Sequence, residues 1–341
     1  MVLECSKTSR RRSAKGERGV ALILVLWTFI FLFVVAFNFS LSVREEGMAA
    51  YRYSAQASGY SLALAGFQLG LYQLLLQRIE EGPASEEEPL DIEQSLADGR
   101  WREGSFGGGS YRLRVVDESG KVNLNRANEA TLRRVFANLG LGGAALDTVV
   151  DSIFDWRDAD DLHRTNGAER DYYLSLKVPY VPKNGPFDTV EDLLWVRGMT
   201  QEIFYGIRED GERGVRLEDV FTVDSASNRV NLKTASPSVL HALTGLSLEQ
   251  SEAVVGERAM SSDNTLRDLL GLMGLASDDE AARQFVFNRP SIVSIEAMGY
   301  APGSRLPHSL KGVVRLLGGS QGYDVLRWED WSSGLSSYQG Q

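Results

Sequence analysis

The sequence predicts an α+β fold: a long N-terminal helix, an antiparallel sheet, and a large helical insert set between the strands. Three observations predict it. Residues 20–43 run for 24 positions without a charge. Apolar and polar side chains alternate near 111–115 and again at 291–297, 310–316 and 324–329. Between them, leucines and valines recur at spacings of three and four around short Gly, Pro and Asn breaks. At 341 residues and 43% hydrophobic, the chain holds enough apolar material for a large core or two modest ones.

The charge-free run comes first. A bilayer-spanning helix needs about 20 apolar residues, and residues 20–41 supply 16 Val, Ile, Leu and Phe. Upstream, Lys7, Arg10, Arg11, Arg12, Lys15 and Arg18 face only Glu4 and Glu17, which places the N-terminus in the cytoplasm and the body across the membrane. A secretory signal peptide would have a shorter apolar core and a small-residue cleavage site after it; here the small residue, Gly19, stands before the run.

A basic leader ending in Gly19, followed by Val20-Ala21-Leu22-Ile23-Leu24, resembles a type IV prepilin. That resemblance implies cleavage by the prepilin peptidase between Gly19 and Val20 and methylation of the new terminus. At the fifth mature position, where most such subunits carry Glu, this chain has Leu24. A carboxylate inside a bilayer is costly unless paired, so a subunit without one has no neighbour to neutralise above it. That departure resembles the minor pseudopilin K family of type II secretion (general secretion pathway protein K).

Helical spacing continues through Tyr60, Ala63, Phe67 and Leu74, and no Pro appears until Pro83. One helix over 20–79 is expected, spanning the membrane at 20–41 and continuing outside it at 42–79; a coiled coil with a partner would use the same small residues. The acidic segment 80–98 reads as a mobile loop, and the region 80–126 is expected to hold the first strands. Tyr111, Leu113 and Val115 precede the turn residues Asp117-Glu118-Ser119-Gly120, with Val122 and Leu124 beyond, so a hairpin is expected there. Gly107, Gly108 and Gly109 lack the Lys of a phosphate loop and read as a turn.

An internal repeat occupies the expected insert, 127–290. Lys121-Val122-Asn123-Leu124-Asn125 with Ala127-Asn128-Glu129 returns as Arg229-Val230-Asn231-Leu232-Lys233 with Ala235-Ser236-Pro237. Each copy is trailed by a second block, Asp188 to Met199 and Asn264 to Leu275. Helix pairs with Gly turns resemble helix-hairpin-helix units, and DNA uptake is therefore a rival class. It requires cations beside the turn amides. The turns Leu139-Gly140-Leu141-Gly142-Gly143 and Leu243-Thr244-Gly245-Leu246 carry none. Removing the six bases and two acids of residues 1–19 takes the net charge from −10 to −14, which repels nucleic acid, so no nucleic-acid partner is expected.

The densest polar cluster is Asp155, Asp158, Asp160 and Asp161, followed by Glu169 and Asp171. Such a cluster is either solvated or bridged by a cation, and Asp spaced by two in a loop offers calcium the oxygens it prefers. No Gly completes an EF-hand, and chemistry alone fits a solvated loop equally well. The pseudopilin K resemblance implies calcium, on Asp158, Asp160 and Glu169 first, with Asp155, Asp161 and Asp171 as further candidates; Pro179-Tyr180, Asn184 and Pro186 also resemble that family. No Gly-x-Ser-x-Gly elbow or zinc pattern exists, and His163, His241 and His308 lie far apart, so catalysis is not expected. The lone Cys5 lies in the leader, and the mature chain needs no disulfide.

The closing strands 291–331 read as a meander ending in a frayed 332–341. The resemblance implies an inner-membrane, single-pass subunit with a periplasmic body at the tip of a secretion pseudopilus. Its implied partners are the minor pseudopilins I and J, the major pseudopilin, the prepilin peptidase and the inner-membrane assembly platform.

Overall fold

The computed structural model describes residues 17–80, 96–207, 214–260, 265–276, 278–317 and 322–332. Residues 1–16, 81–95 and 333–341, which hold most of the expected leader, acidic loop and tail, lie outside that description. The chain divides into two units, Met1–Ala57 and Ser58–Gln341. In the first, the described residues are all helix, belonging to α1 (Glu17–Glu80). Its apolar stretch reaches a mean hydropathy of 2.6 with nothing packed over it, which makes it long and apolar enough to cross a membrane.

In the second unit the outer turns of α1 bury Ala63, Phe67, Leu71 and Leu74. The chain then forms β1 (Arg102–Phe106) and β2 (Gly109–Asp117), joined by Gly107 and Gly108 at φ 58° and 81°. Positive φ is why glycines stand at this turn. A 3₁₀ turn at Glu118–Gly120, capped by Asp117, leads into β3 (Val122–Asn123).

The hairpin expected between 111–115 and 122–124 does not form. The partners of β2 are β1 on one side and a C-terminal strand on the other. Val122 is instead buried in the core of the insert. The capped turn redirects the chain out of the sheet, so alternation on its far side marks a different layer.

The insert then runs α2 (Glu129–Asn138), α3 (Gly143–Arg157), α4 (Arg170–Leu174), a 3₁₀ turn at Val190–Trp195, α5 (Gln201–Tyr205), α6 (Leu217–Val220) and β4 (Phe221–Thr222). A second round follows: β5 (Val230–Asn231), α7 (Pro237–Thr244), α8 (Leu248–Met260), α9 (Leu266–Leu272) and β6 (Phe285–Val286). The rounds match. β3 pairs with β4 and β5 with β6, both parallel. Asn128 caps α2 through the Thr131 amide, and Ser236 caps α7 through that of Val239. Asp192 accepts from the Thr189 amide as Asp268 does from that of Thr265. An arginine late in the second helix of each round donates to two loop carbonyls: Arg157 to Leu124 and Ala127, Arg258 to Leu232 and Ala235.

Strands β7 (Ile292–Tyr300), β8 (His308–Leu316) and β9 (Tyr323–Ser332) complete a five-stranded antiparallel sheet in the order β1-β2-β7-β8-β9. The register runs from Ser110 opposite Tyr300 to Asp117 opposite Val293. Leu113, Val115, Val293, Ile295 and Ala297 face α1 in one core, while the insert has its own. Polar ties join sheet to insert. Asp117, 1% exposed, accepts from Asn231 Nδ2 at 2.9 Å and Thr234 Oγ1 at 2.7 Å. Arg327 of β9 donates to the Asp188 carbonyl at 3.0 Å and the Asp224 carboxylate at 2.6 Å.

Candidate metal centre

The candidate site hangs from the end of α3. Arg157 closes that helix and anchors its last turn to the Leu124 and Ala127 carbonyls at 2.6 and 3.2 Å. Asp158 then takes extended backbone, φ −81° and ψ 173°, and starts the loop. Inside the last turn of α3, Asp155 is fully buried and both its oxygens accept the Arg164 amide, at 3.2 and 3.1 Å. The returning loop passes so close that a Cβ on Gly167 would lie 1.8 Å from Asp155 Oδ2. Only glycine fits. The next turn delivers Glu169 at the N-cap of α4.

Oxygens of Asp158, Asp160 and Glu169 all lie within 4.8 Å of one another. Calcium binds oxygen at 2.3–2.6 Å, so two oxygens on one ion stand at most about 5 Å apart, and the group matches that limit. Asp158 and Asp160 are exposed, whereas Glu169 is 2% exposed and neither of its oxygens has a hydrogen-bond partner. Burying a carboxylate without a donor is costly, and a cation between the three carboxylates removes that cost. Burial first, then the charges of Asp155, Asp158, Asp161 and Asp160, push the Glu169 carboxyl up to about 7. Asp158 is raised by burial and by Asp160. All donors are hard oxygens, the set that suits calcium.

The other candidates are not among the three grouped carboxylates, although the charges of Asp155 and Asp161 act on Glu169. Asp155 supports the loop through Arg164, and burial raises its carboxyl. Asp161 is turned to Asn184, whose Nδ2 donates to it at 3.1 Å. Asp171 is exposed and accepts the Tyr172 amide at 2.8 Å. Sequence reasoning missed Asp151, which is 6% exposed, accepts from the Asn166 amide and side chain, and pairs with Arg164 at 3.3 Å. Its signal was available: it lies four residues before Asp155 on the same helix. Gly19 and Val20 fall in the first turn of α1.

The first of the two hairpin turns opens on a cavity of about 410 Å³ lined by Leu139, Gly140, Leu141, Ile203, His241 and Leu248 among others. Glu202 also lines it, and no Lys or Arg does among the described residues. Phosphate backbones find no counter-charge there, and DNA binding gains no support.

A long apolar helix whose outer turns pack on an antiparallel sheet, with a carboxylate-bearing helical insert between two neighbouring strands, is a pilin-like arrangement. The family model described as type II secretion system (T2SS), protein K matches residues 113–209. The type II secretion system protein K of Pseudomonas aeruginosa is 28% identical over 260 residues, 72% of this chain and 73% of that one. Its Klebsiella pneumoniae counterpart is 22% identical, covering 78% and 82%. The solved GspK-GspI-GspJ complex of the enterotoxigenic Escherichia coli type 2 secretion system superposes with a TM-score of 0.59 at 19% identity, over 85% of this chain and 98% of that chain. The chain is thus similar, in sequence and in fold, to type II secretion system protein K.

Proposed function

We propose that this subunit sits at the tip of the secretion pseudopilus, where it starts assembly with the minor pseudopilins I and J and supports export of folded proteins across the outer membrane. The observation that carries the reading is the insert. A helical block with its own core, spliced between β2 and β7, is bulk that a filament repeating the same subunit along its length has little room for. Leu24 adds to it, because a tip subunit needs no carboxylate for a neighbour above. The solved relative was crystallised as a complex of three such proteins, which supports I and J as partners here; the major pseudopilin, the prepilin peptidase and the inner-membrane assembly platform complete the proposed set.

In this reading α1 anchors the chain in the inner membrane with the N-terminus cytoplasmic and the body periplasmic. Asp158, Asp160 and Glu169 hold calcium, which neutralises their repulsion and fixes the loop from Asp158 to Glu169. Mild crosslinking in intact cells followed by affinity capture tests the assignment. Recovery of I and J in stoichiometric amounts, with the major pseudopilin substoichiometric, supports it. Recovery of the major pseudopilin alone, at the same level along the whole filament, overturns it.

A further inference from the structure

Asn184 is the one non-glycine residue with positive φ among the described residues, at 45°. Its side chain reaches back across the chain to the carboxylate loop. Nδ2 donates to the Asp160 carbonyl at 2.9 Å and to Asp161 Oδ1 at 3.1 Å. The amide of the next residue, Gly185, donates to the Trp156 carbonyl at 3.0 Å. The pair 184–185 therefore clamps both ends of the segment 156–161, one end at α3 and the other beside the candidate ligands. Asparagine tolerates left-handed backbone better than other non-glycine residues but still at a cost, and a strained residue persists where its surroundings hold it.

Asp160 and Asp161 are adjacent, both exposed, and chemically identical, yet only Asp160 joins Asp158 and Glu169. Nothing in their spacing separates them. Their partners differ: Asp160 Oδ1 accepts the Leu162 amide at 2.8 Å, while the Asn184 amide nitrogen fixes the backbone of Asp160 and occupies the carboxylate of Asp161. We propose that Asn184 is a positioning residue of the calcium site, pinning Asp161 away so that Asp160 alone of the two faces the cation. This rests on the calcium reading above. It assigns to Asn184 the outer-shell role in which a neutral side chain orients ligands without touching the ion.

The test uses the full-length chain in detergent, with calcium binding measured by titration calorimetry and the chelated protein's melting temperature measured in parallel. Asn184→Gly keeps the left-handed backbone and deletes the amide. Calcium affinity should fall tenfold or more, the range for loss of an outer-shell partner, while the metal-free melting temperature is unchanged or higher. A merely structural role would lower the melting temperature instead. Asn184→Ala, which deletes the amide and keeps the strain, should lose the same affinity and also melt lower. Asp161→Asn should bind within about threefold of wild type, because Asp161 is not among the grouped ligands. Wild-type affinity in Asn184→Gly, or recovery in Gly but not in Ala, overturns the inference while leaving the calcium site intact. Absence of calcium binding by the wild-type chain overturns the calcium reading itself, and this inference with it.

Discussion

Gly299 of β7 and Gly59 of α1 touch backbone to backbone: a Cβ built on Gly299 would lie 2.0 Å from the Gly59 carbonyl oxygen and 2.4 Å from the Ala63 nitrogen. Neither neighbour can swing aside as a side chain can. Helix and sheet backbones therefore meet at these two glycines, and Phe67, Leu71 and Leu74 of the same helix pack in the sheet core. Gly299→Ala should wedge the helix outward and cost about 1–3 kcal/mol, the usual range for overpacking. Urea unfolding of the full chain in detergent, followed by circular dichroism, should show a lower midpoint. Gly256→Ala, on a helix with nothing within 4 Å of the new methyl, is the matched control and should be neutral or stabilising.

The paired arginines of the insert yield a second prediction. Arg258 is 7% exposed, and burial pushes its guanidinium down to about 10. Arg157 is likewise lowered to about 10, by burial first and Arg164 second. Each is retained in a dry setting because it satisfies two carbonyls at once. Replacing either by Met should cost about 2–3 kcal/mol, the loss expected for hydrogen bonds to a charged donor. Only Arg157→Met should also weaken calcium binding, since Arg157 immediately precedes Asp158. Denaturation and calcium titration of the two variants side by side check this, and equal calcium affinities would refute it.

Glu169 gives a pH dependence with a definite sign. Its carboxyl titrates at about 7 in the folded, metal-free chain against 4.5 ordinarily, so between those values the folded state holds more protons than the unfolded one. Its contribution to stability is present below about 4.5 and is lost as pH rises to about 7. The chelated protein should melt progressively lower across that window, and Glu169→Gln should flatten the profile. Calcium should reverse the trend, because the ion binds the carboxylate and displaces the proton. Melting curves from pH 5 to 8 with chelator or calcium distinguish the cases; identical profiles for wild type and Glu169→Gln would show that this carboxyl is not strained.

Arg327 holds sheet and insert together through Asp188 and Asp224. Burial raises the Asp224 carboxyl, with Arg327 as the largest opposing influence. Arg327→Ala removes that influence and leaves a half-buried carboxylate facing Glu118. Faster amide exchange should appear in β4 and around Asp188, measured by mass spectrometry, while exchange in β1 stays unchanged. Arg327→Lys should restore little, because one ammonium cannot reproduce the two-sided fork of a guanidinium.

The N-terminal reading has its own check. Co-expression with a prepilin peptidase should yield mature chain beginning at Val20, with the membrane-bound intact mass short by residues 1–19. Retention of those residues would refute it.

Much of the fold was legible because its signals are local. The charge-free run and the alternation in β7, β8 and β9 are each read from one contiguous stretch of chain. The hairpin at 117–124 was misread because strand pairing is not local: a turn signal says that the chain reverses, not which layer receives it, and the partner of β3 lies about a hundred residues away at Phe221. The candidate site divides the same way. Acidic density marked the loop, yet telling Asp160 from Asp161 depended on Asn184, and the buried, donor-free state of Glu169 depended on packing that spacing does not encode.

Asp117 and Val293 are directly opposite in the register of β2 and β7, and everything from Glu118 to Ile292 departs and returns at that one point. Replacing the insert by a short hairpin turn between Asp117 and Val293 would keep the strand order and the register of β2 and β7. Helix and sheet have a core separate from that of the insert, so the insert is free to diverge in shape and chemistry without changing the register of the strands that hold it.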